Sequence, residues 1–231
     1  MKHVAIVLSA GSGSRMNSNV AKQYMMMGDK PIIYFALKAF EDSFVDEIVL
    51  VCGEADIDFV QRDIVDKYCL TKVKSVVAGG AERYLSVMNG LAKCSGADYI
   101  YIHDGARPFI DLELLERGRE WACKYDAAVA AVPVKDTIKM VNGDGVITST
   151  PDRSLLWQIQ TPQVFTSGLI LEAYQQLADD LKAGRGKNIT DDAMVVEQYT
   201  NTKVRVYMGS YDNIKITTPE DLDFMKYKLG L

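Results

Sequence analysis

The first residues that could do chemistry lie in VAIVLSAGSGSRMNSNVAKQ, from Val4 to Gln23. An apolar run leads into a small-residue turn with Gly11 and Gly13, then Arg15, then Lys22 seven residues later. Glycines directly after a strand let backbone N–H groups approach an anion closely, and cations beside them can neutralise phosphate oxygens. The pattern is not the dinucleotide fingerprint G-x-G-x-x-G, because Met16 follows Arg15, nor a Walker A loop, which ends in Gly-Lys-Ser/Thr. A plain strand-to-loop connection with two surface cations fits this stretch alone equally well. The decision rests on the remaining chain.

Further polar and glycine positions recur at intervals: Gly79-Gly80 with Ser86, His103-Asp104 with Arg107, Arg153, and Lys215. There is no recognisable Ser-His-Asp set and no pair of catalytic carboxylates. Cys52, Cys69, Cys94 and Cys123 form no Cys-x-x-Cys pair, and His3 and His103 lie far apart, so the spacings speak against structural zinc. Scattered cysteines of this kind suit a reducing cytoplasm better than a disulfide framework. The net charge of −5 argues against nucleic acid as the main partner, so a phosphate ligand needs local cations. No segment reads as a membrane span or a secretory signal. The expected location is the cytoplasm.

The elements that must position these residues alternate. Val4 to Leu8, Glu47 to Cys52, Val73 to Val77, Asp98 to His103 and Ala127 to Val134 read as strands, most of them apolar throughout. Between them, helices are expected from Ile32, where Pro31 can open the first turn, from Ile57 to Val65, from Leu85 to Cys94, and from Leu112 to Tyr125. This predicts an α/β fold: a Rossmann-like, mostly parallel twisted sheet with helices on both faces. Such sheets bind ligands beyond the carboxyl ends of their strands, where the glycine turn, Gly79-Gly80 and His103-Asp104 all fall.

After Val134 the rhythm changes. Thr137 to Val141 and Val146 to Thr150 flank Asn142-Gly143-Asp144-Gly145, which favours a tight hairpin. Trp157 to Phe165 is extended in character, with Pro162 arguing against a central strand there. The expectation is one domain over 1–231 with a projecting β-arm inserted at about 137–160. A two-stranded ribbon is marginal alone, so a second subunit is expected to cover it. Leu169 to Leu181 and Asp191 to Tyr199 read as helices, Asp179 to Lys187 as a polar loop, and Val204 to Tyr207 as a strand. Thr218-Pro219-Glu220-Asp221 starts the last helix.

Seven motifs in order, AGSGSRM with AKQ, GGAERYLSV, HDGARPF, PVKDTIK, DRSLLWQIQTPQVF, TDDA and DNIKITTPEDL, resemble the 2-C-methyl-D-erythritol 4-phosphate cytidylyltransferase family. The resemblance runs from Ala5 to about Leu222; the residues by themselves stop at a phosphate-ligand enzyme. It implies transfer of CMP from CTP to the phosphate of 2-C-methyl-D-erythritol 4-phosphate, by in-line attack on the α-phosphate with loss of pyrophosphate. It assigns Arg15 and Lys22 to stabilising the pentacoordinate α-phosphate. Preorganised cations in a water-poor site suit that task. No strong base is needed, because a phosphate monoester is mostly dianionic at pH 7.

By the same resemblance, Ala10, Gly11, Ser12, Gly13, Gly80, Ala81, Ser86, Asp104 and Gly105 bind the nucleotide. The family often carries Asp where this chain has Ala81. Asp104 is assigned to the ribose or to the environment of Mg²⁺ (or another divalent cation), with water as a possible bridge. Arg107, Thr137, Arg153, Thr161, Thr190 and Lys215 handle the acceptor, Arg153 and Lys215 by placing its phosphate. The resemblance also implies a homodimer whose β-arm carries Thr137 and Arg153 into the partner's site. Asp191 and Asp192 read as first-turn acids of a helix and are not assigned to the site. Rival readings are a ribitol 5-phosphate or other polyol phosphate cytidylyltransferase, another sugar-phosphate nucleotidyltransferase, and a non-catalytic nucleotide-binding module.

Overall fold

The computed structural model describes residues 1–11, 21–186 and 188–231, so Ser12, Gly13 and Arg15 lie outside the described residues. The main sheet is built from β1 (His3–Leu8), β2 (Glu47–Cys52), β3 (Val73–Ala78), β4 (Tyr99–Asp104), β5 (Ala127–Pro133), β6 (Trp157–Thr166) and β7 (Arg205–Met208). In space they run β7-β5-β6-β4-β1-β2-β3. All neighbours pair in parallel except β6, which is antiparallel to both β4 and β5.

The unbroken apolar runs are explained by burial on two sides. Along β1, Ala5 and Val7 join a core with Ile33, Leu37, Phe40, Leu114 and Tyr101. Val4 and Ile6 join a second core, on the other face, with Val87, Ile102, Ile170 and Tyr174. The first face is covered by α1 (Ile32–Glu41), by α2 (Ile57–Val60) with the wider π-helical turns Gln61–Asp66 that continue it, and by α4 (Leu112–Tyr125). The second is covered by α3 (Arg83–Leu91), α5 (Ser167–Lys182) and α6 (Asp192–Tyr199). A last helix, α7 (Pro219–Leu229), starts with a reciprocal capping box between Thr218 and Asp221. Its Met225 packs on Ile32 and Ile216 in a smaller cluster.

The reading of Pro162 is corrected: the strand that contains it is central. Its pairing with β5 shifts register between Ile159 and Gln163, and its pairing with β4 begins only at Gln163. The proline therefore sits in a break of both ladders, where no N–H is needed. Its carbonyl accepts from Tyr207 Oη at 3.0 Å, and the Thr161–Pro162 peptide is cis. Because β6 runs against its neighbours, this irregular stretch lands beside the carboxyl end of β4. Helix α5 also continues to Lys182, past the expected loop start at Asp179.

The hairpin exists as the pair Met140–Val141 and Ile147–Ser149. Asn142 Oδ1 accepts from Asp144 N and Val146 N, and Gly145 takes a φ of 80°, the left-handed backbone that a glycine adopts freely. Residues 135–150 are all exposed, with Met140, Val141, Val146 and Ile147 each more than half open to solvent.

Candidate functional site

A cleft of about 500 Å³ opens beyond the carboxyl ends of β1, β3 and β4. Ala10, Gly11, Lys22, Gly80, Ala81, Ser86, Asp104 and Lys215 line it together with Arg83. The two flanks of the first loop are tied by Gln23, a buried side chain whose Nε2 donates to Ser9 O and, at 3.1 Å, to Gly11 O. Lys22 is carried on the single turn Lys22–Tyr24, anchored by Tyr24 in the core.

The paired glycines are required by close approach. A Cβ on Gly79 would run into Ala10 Cβ and Ser86 Oγ, and one on Gly80 into Leu85 Cβ. Ser86 Oγ accepts from Gly80 N at 3.0 Å and donates to Glu82 O at 3.3 Å, so its hydroxyl shapes the loop it faces. Gly105 lies behind the cleft: its N–H donates to Leu8 O at 2.8 Å, and a Cβ there would press on Ile33 Cδ1 at 2.9 Å.

Asp104 stands at the centre. Its Oδ1 accepts from Arg83 Nε at 3.3 Å and its Oδ2 from Lys215 Nζ at 2.8 Å. Burial pushes its carboxyl up, but Arg83, Lys215 and Arg107 outweigh that and hold it well below the usual carboxylate range. Arg83 pairs in turn with the fully buried Asp192 through both terminal nitrogens, at 3.0 and 2.7 Å. Burial disfavours the Arg83 charge, yet Asp192 and Asp104 more than restore it.

A second hollow of about 330 Å³ shares Arg83, Asp104 and Lys215 with the cleft and adds Arg107, Thr161 and Thr190. Thr161 is turned inward: Oγ1 accepts from Asp104 N at 3.0 Å, which leaves its proton to donate to His103 Nδ1 at 2.9 Å. His103 Nε2–H then donates to Arg107 O at 3.0 Å. This network fixes a neutral histidine, and burial pushes His103 down to about 4. The hydroxyl of Thr161, a residue expected to handle the acceptor, is thus engaged in holding the end of β4. Arg107 is lowered by its burial; Nη1 donates to Asn213 O at 2.7 Å, while its buried Nε has no partner among the described residues.

Thr137 and Arg153 line neither cavity. Arg153 is exposed and its Nη1 donates to Lys135 O at 2.8 Å. Three residues that shape the site escaped assignment: Gln23, Arg83 and Asp192. All three fall inside the AKQ, GGAERYLSV and TDDA motifs, so order along the chain marked the segments but not the side chains that hold them together.

Among the described residues no group of three His, Cys, Asp or Glu side chains could hold a metal ion. Both Asp104 oxygens already accept from cations. Mg²⁺ commonly keeps several waters and is held by one or two carboxylates plus substrate phosphates. The donor set fits a divalent ion carried in on a triphosphate, and does not fit a protein-built cage.

Comparison with known proteins agrees with this geometry. The family model described as 2-C-methyl-D-erythritol 4-phosphate cytidylyltransferase (IspD) matches residues 3–230. A protein of that name from Lachnoclostridium phytofermentans is 48% identical over 223 residues, covering 96% of this chain and 94% of its own. Another from Lachnospira eligens is 48% identical over 222 residues, covering 96% of both. The crystal structure of 4-diphosphocytidyl-2C-methyl-D-erythritol synthase from Anaerococcus prevotii superposes with a TM-score of 0.84 at 32% identity, over 100% of this chain and 96% of that one.

Proposed function

The chain belongs to the 2-C-methyl-D-erythritol 4-phosphate cytidylyltransferase family and transfers a cytidylyl group from CTP to that sugar phosphate; we propose that its two cavities divide the reactants. The 500 Å³ cleft takes CTP and the 330 Å³ hollow takes the acceptor. The observation that carries this division is the shared wall, where Lys215 and Asp104 meet at 2.8 Å between the two spaces.

In this arrangement the glycine loops admit the base and ribose, with Ser86 holding the Gly80 turn to a pyrimidine-sized slot. The acceptor phosphate oxygen attacks the α-phosphorus, a new O–P bond forms, and the bond to the β-phosphate breaks as pyrophosphate leaves. Lys22, with Arg15 seven residues before it in sequence, offsets the charge that builds on the non-bridging oxygens. Lys215 and Arg107 orient the acceptor's phosphate from the wall and floor of the hollow. A divalent ion such as Mg²⁺ would supply charge neutralisation on the triphosphate, and Asp104 is the residue that would help hold it.

Thr137 and Arg153 belong to a neighbouring site in a homodimer. Support comes from the exposed apolar hairpin side chains, which leave a ribbon that needs a partner to pack on. The cytoplasm is the working compartment, in keeping with four free cysteines. No helix among the described residues is long and apolar enough to cross a membrane.

Pyrophosphate release from CTP with Mg²⁺ tests the reading when 2-C-methyl-D-erythritol 4-phosphate and ribitol 5-phosphate are offered separately. Turnover with the first acceptor is expected. Turnover with ribitol 5-phosphate in its place would contradict it.

A further inference from the structure

Asp192 opens α6, a place where an acid ordinarily faces solvent and profits from the helix dipole. Here the side chain is fully buried. It is not needed as the helix cap, because Asp191 already does that work: Oδ1 accepts from Met194 N at 3.0 Å, and Oδ2 accepts from Gln163 Nε2 at 2.9 Å. Burying a carboxylate is costly unless it is paired and fully hydrogen-bonded. Three donors meet that need. Arg83 grips both oxygens, and Tyr174 Oη on α5 donates to Oδ1 at 2.6 Å.

Arg83 is then left with one direction for its Nε, toward Asp104 Oδ1, and Asp104 Oδ2 holds Lys215. A continuous chain, Tyr174–Asp192–Arg83–Asp104–Lys215, runs from the helices behind the sheet to the wall between the two cavities. The forked guanidinium–carboxylate contact fixes orientation as well as charge. Without the Asp192 charge, Arg83 would turn wholly to Asp104 and compete with Lys215 for the same carboxylate.

We propose that Asp192 is a positioning residue for cytidylyl transfer, acting with Tyr174 through Arg83 to place the Asp104–Lys215 pair. The inference rests on the reading that this pair works at the wall between CTP and acceptor.

The test compares Asp192→Asn, Tyr174→Phe and Lys215→Ala, each with and without a second change, in kcat, in KM for the acceptor, and in CTP affinity by calorimetry. Misplacement of Lys215 is expected to lower kcat by about tenfold or more and to raise acceptor KM in Asp192→Asn, while CTP affinity moves by less than about threefold. Tyr174→Phe leaves the ion pair in place and should shift the same constants in the same direction by about threefold. Adding either change to Lys215→Ala should cost little further, since the changes act on one group.

Wild-type kcat and KM per folded molecule in Tyr174→Phe and Asp192→Asn, with only a lowered melting temperature, would overturn the proposal. So would losses fully additive with Lys215→Ala. If Asp192→Asn does not fold, the cycle of Tyr174→Phe with Lys215→Ala decides by the same criterion. Full activity of Lys215→Ala would instead remove the underlying reading of the wall, and the proposal with it.

Discussion

Lys215 and Asp104, 111 residues apart in sequence, meet at 2.8 Å where the 500 Å³ cleft joins the 330 Å³ hollow. The aspartate ends a buried strand; the lysine precedes the last helix. Their contact joins the first half of the chain, which supplies the glycine turns, to the segment just before the last helix, which supplies the lysine. The buried aspartate would be costly without a cation beside it, and the half-buried lysine meets part of that need.

Removing the aspartate charge should therefore be felt in stability. Asp104→Asn is expected to lose about 2 kcal/mol in urea denaturation at pH 7, less than for a fully buried pair because Arg83 keeps Asp192 and Lys215 is partly exposed. The folded carboxyl titrates below its unfolded value of about 3.9, so its contribution is complete above that value and is lost as the pH falls below it. The gap between wild type and variant should narrow below about pH 4. A gap that stays constant down to pH 3 would show that the charge is not what stabilises.

His103 gives a second pH signature. The unfolded ring takes up a proton near pH 6.5, while the buried ring resists until about 4. Between those values the unfolded state binds more protons, so stability should fall as the pH drops through that window, by about 3 kcal/mol at most. Denaturant unfolding of His103→Gln over pH 4 to 7 should show a shallower slope. His3, also lowered chiefly by burial, retains part of it. Identical slopes in wild type and variant would contradict the neutral, Thr161-bound ring.

Much of the layout was legible from residue pattern. The run Val4 to Leu8 can only be a strand covered on both sides, and Gly79-Gly80 had to mark a close approach or a turn. Pro162 misled because a proline without an N–H normally excludes a central strand; a register shift between Ile159 and Gln163 removes that objection and leaves no local trace. Arg83 and Asp192 were missed for a different reason. Their pairing spans 109 residues, and each alone looks like an ordinary charged residue of a first helical turn. The inward turn of the Thr161 hydroxyl likewise depends on His103 and on the neighbouring strand, which no spacing within β6 reveals.

The hairpin makes a testable claim about assembly. If Arg153 serves the partner's site, Lys22→Ala and Arg153→Ala are each inactive, yet a mixed dimer contains one site with both native residues. Equal mixing after subunit exchange should restore about a quarter of the wild-type activity. Absence of recovery, with exchange demonstrated by mass-tagged subunits, would place Arg153 outside the shared site.

The most direct test measures Lys215→Ala by steady-state kinetics with 2-C-methyl-D-erythritol 4-phosphate and by calorimetric titration with CTP and Mg²⁺. A lysine at the wall between two cavities should matter to the acceptor and to the transition state far more than to the nucleotide. A fall in kcat/KM for the acceptor of about 10³-fold, with CTP affinity kept within about fivefold, is the expected result. Parallel losses in CTP affinity and in acceptor turnover would contradict the division of the reactants between the two cavities.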